Sequence, residues 1–180
     1  MHMDQLGSLR LDTERLTIRR LAYSDADAYF DTFTDPKTCS DDGGYPPFTV
    51  MDDKFDQLMR DFSADPTRFA IVIRQTGEMI GTIHLMPPLF ERAVPCLEIG
   101  YCIHRDYRRR GYAAEAVAAM VEHLHSQLNV TLVLAGAFAF NTASQRLLEK
   151  LGFIHEGITK HDTNHSVYGL VDMVNYYHQA

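Results

Sequence analysis

At 180 residues and 20.5 kDa the chain has the size of one domain with a single sizeable core. Its composition, 46% apolar and 23% charged, excludes a disordered or collagen-like polymer. Seventeen basic and 24 acidic residues leave a net charge of −7, which argues against a dedicated nucleic-acid binder.

In chain order, Met1–Arg10 lacks the apolar stretch of a signal peptide. Arg15–Leu21 sets Leu16 and Ile18 against Thr17 and Arg19, the alternation of a first strand. Ser24 followed by Asp25 and Asp27 predicts a helix start, and that helix should stop before Pro36. The Gly/Pro-rich stretch Cys39–Val50 predicts a loop. A second helix is expected over about Asp52–Phe62, with Phe55, Leu58, Met59 and Phe62 at helical spacing. Phe69–Arg74 and Met79–Met86 form a hairpin around Thr76-Gly77, and Pro87-Pro88 ends it. Leu97–Ile103 is a further strand and Arg110–Leu128 a long amphipathic helix. Thr131–Phe138 is a strand, Asn141–Leu151 a helix closed by Gly152, and Phe153–Tyr177 two strands with a polar turn around His161–Asn164. The order β-α-α-β-β-β-α-β-α-β-β predicts one α/β (α+β) domain over residues 1–180, core about 11–177, with a mixed sheet.

No apolar run reaches the ~20 residues of a membrane helix; the longest, Val130–Phe140, is broken by Thr131 and Gly136. No membrane partner is expected. Cys39, Cys96 and Cys102 form no C-x-x-C pair, which fits a reducing, cytoplasmic location. Cys96 and Cys102 lie in or beside a strand, where a small apolar role outweighs a nucleophilic one. No metal is expected: His161 and His165 flank a predicted turn, and no H-E-x-x-H or Cys/His cluster exists.

Between Ser24 and Asp65 stand eleven Asp and no Glu, against Lys37, Lys54 and Arg60. All the excess negative charge therefore sits in this segment. It is either a set of solvated faces and helix caps or a field that draws cationic ligands, with Asp41, Asp42, Tyr45 and Phe48 bordering their cleft.

The most informative motif is Arg108-Arg109-Arg110-Gly111-Tyr112-Ala113, between a strand and the long helix. Helix-start N–H groups are unpaired and point outward, and Gly111 lets an anion approach the backbone. Three arginines there oppose the helix dipole unless a polyphosphate reverses the sign. The other reading is three solvated side chains. Walker and Rossmann glycine patterns are absent.

Leu97-Glu98-Ile99-Gly100-Tyr101-Cys102-Ile103, then Arg108-x-x-Gly111-x-Ala113, resembles the acetyl-CoA signature of the GNAT N-acetyltransferase superfamily. Asn141 through Phe153 resembles that superfamily's second signature. The opening Thr13-Glu14-Arg15-Leu16-Thr17-Ile18-Arg19 is similar to the RimJ/RimL branch of ribosomal-protein N-terminal acetyltransferases. The resemblance spans about Leu11 to Tyr177 and implies a single GNAT domain with a mostly antiparallel sheet flanked by helices. It implies acetyl-CoA as cosubstrate, a primary amine as acceptor (a cationic small molecule or a protein N-terminus), and, as often in the family, a homodimer. It assigns the pantetheine arm to Tyr101, Cys102 and Ile103. The pyrophosphate falls to Arg108, Arg109, Arg110, Gly111, Tyr112 and Ala113, and a further cofactor contact to Asn141. Many relatives carry a Tyr seven residues after that Asn as general acid, where this chain has Leu148. Ser144, three after Asn141, matches an acid proposed in the RimL-like branch; its other use is a hydroxyl bonded back to its own helix.

Such a reaction is direct attack of a neutral amine on a thioester, aided by proximity and carbonyl polarisation. Deprotonating a lysine-like amine of pKa ~10.4 costs about 4–5 kcal/mol at pH 7, an α-amine of ~7.7–8.0 only about 1. Glu98 is the expected base, or else a cross-strand partner for a cation or hydroxyl; Tyr101 and His104 are weaker candidates. With Leu148 in place of the Tyr, the alternative is a non-catalytic acyl-CoA-binding module.

Overall fold

The computed structural model describes residues 6–43, 45–90 and 92–180, so the expectation for Met1–Arg10 falls partly outside it. Strand alternation, apolar against polar, builds β1 (Arg10–Asp12), β2 (Leu16–Arg20), β3 (Arg68–Ile73), β4 (Met79–Met86), β5 (Cys96–Ile103), β6 (Leu132–Phe138), β7 (Ile154–His165) and β8 (Gly169–Gln179). They form one sheet in the order β1-β2-β3-β4-β5-β6-β8-β7. Every pairing is antiparallel except β5–β6, where the chain returns through a long helix, as a parallel pair requires. The short β1, pairing with β2, adds a strand to the predicted set.

Alternate residues of β5 serve two cores. Leu97, Ile99 and Ile103 pack with Ala116, Val117 and Met120 of α4 (Tyr112–Leu128) and with Leu148 of α5 (Thr142–Lys150). Cys102 faces the other way, into Tyr29 and Phe33 from and beside α1 (Ala26–Thr32) and Phe55 and Met59 of α3 (Asp53–Ala64). The sheet is thus covered on both faces.

Three predictions need correction. The stretch after Pro36 is not all loop: Pro36–Asp42 is a helix, α2. Proline both stops one helix and starts the next, because its missing N–H is harmless at the first helical position and Asp35 caps Thr38 N–H. The long helix begins at Tyr112 rather than Arg110, since Gly111 has a left-handed φ of 82°. The last reversal lies at residues 166–168, while His161–Asn164 belong to β7. A register shift between Thr159 and Thr163 and His161 at φ 51° absorb the polar residues, and Asp172 accepts the His161 N–H.

On β4, half-buried His84 stands opposite Arg68. Burial first, then the Arg68 charge, lowers its pKa to about 4, with Asp65 opposing. The folded state therefore rejects a proton that the unfolded chain takes up near pH 6.5. Stability should be undiminished above that pH and fall as pH drops from 6.5 towards 4. We expect Tm to decline between pH 7 and 5 and His84→Gln to flatten the decline, read by thermal melts across that range.

Candidate active site

β5 is fully paired with β4, and β6 with β8, but β5 and β6 share only three residue pairs, Cys96–Leu132, Leu97–Val133 and Glu98–Leu134. Beyond Glu98 the strands part, leaving the β6-facing edge of Ile99–Ile103 without a strand partner. The gap opens into a cleft of about 1180 Å³, larger than the usual ~300–1000 Å³ small-molecule pocket. Gly100 and Gly136 stand on its two walls, where no side chain narrows the slot. Of the twelve residues that the sequence marks for the site, ten line this cleft; Arg110 and Glu98 do not.

One end of the cleft is built for an anion. Helices α2, α3 and α5 each have a side-chain cap, whereas α1 and α4 have none. The α4 N-cap, Gly111, has no side chain to offer, so the first-turn N–H groups lack a capping acceptor on residues that line the cleft. The loop is braced from the N-terminal segment. Glu115 accepts from Thr13 Oγ1 at 2.6 Å, Arg15 N at 2.8 Å and Arg15 Nε at 2.7 Å. Arg15 in turn donates to the Arg110 carbonyl at 2.9 Å and lies over the Tyr112 ring. Here the Thr13-Glu14-Arg15 motif acquires a physical role.

The three arginines do not act alike. Arg108 turns inward: Nη2 donates to Thr38 Oγ1 at 2.7 Å, Nε to the Ile103 carbonyl at 3.0 Å, and Asp41 lies 3.6 Å away. Arg110 folds onto the Asp106 carbonyl and the Tyr107 ring. Arg109 is exposed at φ 62°, and its guanidinium has no bonding partner among the described residues. Arg146 and Lys150, one turn apart on α5, also line the cleft from exposed positions. Sequence reasoning missed them; their i,i+4 spacing was the available signal. Uncapped amides, Arg109 and this basic pair fit a coenzyme A diphosphate and its further phosphate.

Helix α2 borders the cleft and is pinned at several points. Arg108 holds Thr38, Asn141 Nδ2 donates to the Asp41 carbonyl at 3.3 Å, and buried His165 lies 3.0 Å from the Ser40 carbonyl. His165 Nδ1 accepts from Val167 and Tyr168 N–H, so Nε2 carries the proton towards Ser40. Asn141 also caps α5, its Oδ1 accepting from Ser144 N at 3.1 Å. That side chain is already engaged at both ends.

Ser144 Oγ lies 2.8 Å from the Tyr101 hydroxyl, a bridge between α5 and β5. Burial pushes the Tyr101 phenol up to about 12, and the Ser144 bond lowers it in part. Leu148 is fully buried in the core beneath α5, so no hydroxyl enters the cleft from that position. Glu98 sits where the strands part, near Gly136. Burial, then Asp162, raises its pKa, and its carboxylate has no hydrogen-bond donor among the described residues. His104, buried, pairs with Asp31 at 3.0 Å and accepts from Asp106 N. Cys102 is buried, and burial lifts its thiol well above the usual range, which does not favour a nucleophile.

Asp41 and Asp42 of α2 and the aromatic side chains of Phe138, Phe140 and Tyr168 also line the cleft. Among the described residues no group of three or more His, Cys, Asp or Glu is arranged to hold a metal, and no helix is long and apolar enough to cross a membrane.

The family model described as "Acetyltransferase (GNAT) domain" matches residues 15–154. An uncharacterized N-acetyltransferase p20 of Bacillus licheniformis is 32% identical over 154 residues, covering 83% of this chain and 85% of that one. The uncharacterized N-acetyltransferase YoaA of Bacillus subtilis is 32% identical over 179 residues, covering 89% and 96%. Among solved structures, a GNAT-family acetyltransferase from Bacillus anthracis superposes with a TM-score of 0.83 at 22% identity, over 95% of this chain and 98% of that one. The ribosomal-protein-S5-alanine acetyltransferase from Vibrio fischeri gives 0.73 at 16%, over 96% and 97%. The spermidine N-acetyltransferase from Vibrio cholerae, in complex with CoA and spermine, gives 0.77 at 19%, over 93% and 96%. The geometry agrees with what the family model and the two relatives show: the chain belongs to the GNAT acetyltransferases and is an acetyl-CoA-dependent N-acetyltransferase.

Proposed function

We propose that the enzyme acetylates a small-molecule or protein N-terminal primary amine, as a member of the RimJ/RimL-like branch, by direct attack across the slot between β5 and β6. The observation that carries this reading is the Tyr101–Ser144 pair, which spans the slot beside the unpaired edge of β5. The N-terminal brace by Arg15 and the fold likeness to a ribosomal-protein acetyltransferase support the branch.

Acetyl-CoA, when bound, supplies a thioester carbon for the amine and a thiolate leaving group. The first-turn amides of α4, with Arg109, Arg146 and Lys150, hold its phosphates; Tyr101, Cys102 and Ile103 offer their strand edge to its arm. Because Arg108 already engages the Ile103 carbonyl, it acts as the brace between this edge and α2 rather than as a phosphate ligand. Arg110 likewise shapes the loop, and Asn141 sets the direction of α5 and ties it to α2.

Magnitudes decide what the hydroxyl pair does. A thiol titrates near 8.5, so full proton transfer from a phenol held near 12 is uphill by roughly 5 kcal/mol. The pair therefore stabilises the departing sulfur by hydrogen bonding: Tyr101 donates to Ser144 Oγ, and Ser144 donates to the sulfur. The proton released by the amine goes to Glu98 through water, since that carboxylate lies off the cleft lining; its raised pKa makes it a better proton acceptor than an ordinary glutamate.

The test is a calorimetric titration of coenzyme A into the pure protein, followed by thiol release from acetyl-CoA with a panel of amines and N-terminal peptides. Binding with release on at least one primary amine is the expected result. Binding without release on any acceptor would favour the non-catalytic module.

A further inference from the structure

Three residue pairs fix β5 to β6 at one end of the slot, and α2 lies across the other. This short helix is bonded on both sides of the gap. Thr38 takes a bond from Arg108, which also holds the carbonyl of Ile103, the last residue of β5. The Asp41 carbonyl takes one from Asn141, three residues past the end of β6. The Ser40 carbonyl takes one from His165, the last residue of β7. Within seven residues α2 is thus tied to the ends of three strands.

His165 does more here than its own strand reversal requires. It is 2% exposed, and its ring packs edge-on against Phe138 and Phe140, both at 5.5 Å. Nδ1 accepts from the N–H of Val167 at 3.0 Å and of Tyr168 at 3.2 Å, which closes the reversal at 166–168. Closing it takes one acceptor, and an asparagine oxygen supplies one at the same place. Nε2 is then the donor. It lies 3.0 Å from the Ser40 carbonyl and 3.1 Å from the Ser40 hydroxyl, 125 residues earlier in the chain.

The slot that α2 spans carries the Tyr101–Ser144 pair. Tyr101 belongs to β5, and Ser144 stands in the first turn of α5, which Asn141 caps while it holds Asp41. A hydroxyl pair at 2.8 Å tolerates little widening, since side-chain hydrogen bonds fail beyond about 3.5 Å. A misplacement of about 1 Å at a reacting group costs on the order of 100-fold in rate.

We infer that His165 is a positioning residue for acetyl transfer: through Nε2 it holds α2 across the open end of the slot and so sets the width at which Tyr101 and Ser144 meet. The inference rests on the role given above to the hydroxyl pair and adds a residue that acts through it.

Two variants separate the two ring nitrogens. His165→Asn keeps an acceptor at the Nδ1 position and loses the reach to Ser40; His165→Gln keeps a donor at the Nε2 position and loses the acceptor. Thiol release from acetyl-CoA is measured with the fastest primary amine among ethylamine, 2-phenylethylamine, spermidine and short peptides with a free α-amine. His165→Asn should lower kcat about tenfold with little change in KM for acetyl-CoA, and His165→Gln should stay within about twofold of the unaltered enzyme. In a Ser144→Ala background His165→Asn should cost less than about twofold further, because it acts through the pair. Asn141→Ser, which keeps a cap on α5 but not the reach to Asp41, should lower kcat and show the same dependence on Ser144. It decides the question by the same rule if the buried variants do not fold.

His165→Asn with unaltered kcat, His165→Gln no faster than His165→Asn, or an undiminished loss in the Ser144→Ala background overturns the inference while the hydroxyl pair stands. Ser144→Ala with unaltered kcat overturns the reading of the hydroxyl pair and this inference with it. Absence of thiol release on every amine overturns both together with acetyl transfer.

Discussion

Ser144→Ala is expected to lower kcat about 100-fold, the usual cost of removing one hydrogen-bond donor aimed at developing negative charge. The dissociation constant of coenzyme A should change little, because the contact proposed for the serine hydroxyl is with the leaving sulfur and not with the phosphates. Tyr101→Phe leaves the serine in place but removes its hydroxyl partner, so a smaller loss of about tenfold is expected. The double variant should be little worse than Ser144→Ala, since groups that act as a unit are not additive. Thiol-release kinetics and CoA calorimetry on the three variants check this. A Ser144→Ala enzyme with wild-type kcat would remove the hydroxyl pair from the leaving-group side of the reaction.

Gly81→Ala should give the largest loss of stability of any single added methyl group. A Cβ at Gly81 would lie 2.2 Å from the Cys102 carbonyl oxygen, a backbone atom held in the β4–β5 ladder. No side-chain rotation relieves that contact, so the two strands must separate. Such forced separation costs about 2–4 kcal/mol. At roughly 2–4 °C per kcal/mol for a chain of this size, Tm should fall by about 5–15 °C. Affinity for CoA should fall with it, because the same distortion shifts the open edge of β5. Gly157→Ala is the control: nothing lies within 4 Å of its Cβ position, and Tm should barely move.

Local chemistry was legible in the sequence where it is decided locally. Gly111 announces an uncapped helix start, and the Asn141 and Gly152 pair brackets α5, because a left-handed φ and a cap need only neighbouring residues. Long-range pairing was hidden. Arg108 belongs by spacing to an anion-binding triplet, yet its partner Thr38 stands 70 residues earlier, and no local pattern reveals that. The same holds for the Tyr101–Ser144 bridge, 43 residues apart. Pro36 is ambiguous in principle, since it stops and starts helices equally well; only the Asp35 cap resolves it. The polar stretch His161–Asn164 has the composition of a turn, but at the open edge of a sheet polar residues meet water on both sides and strand pairing goes on.

The aspartate-rich segment divides in an instructive way. Asp35 and Asp52 are helix caps; Asp25, Asp31, Asp41, Asp56 and Asp65 pair with Arg19, His104, Lys37, Arg60 and Arg68. Most of what looks like a cation-attracting field is thus internal wiring. Asp42 is the carboxylate left over at the cleft.

The three-pair junction between β5 and β6 also has a mechanical meaning. It leaves the sheet as two panels joined by a short seam, with α2 packed on the β5 panel and Phe140 following directly from the β6 panel. Asp42 on α2 and Phe140 after β6 thus belong to opposite panels, and their spacing is set at that seam.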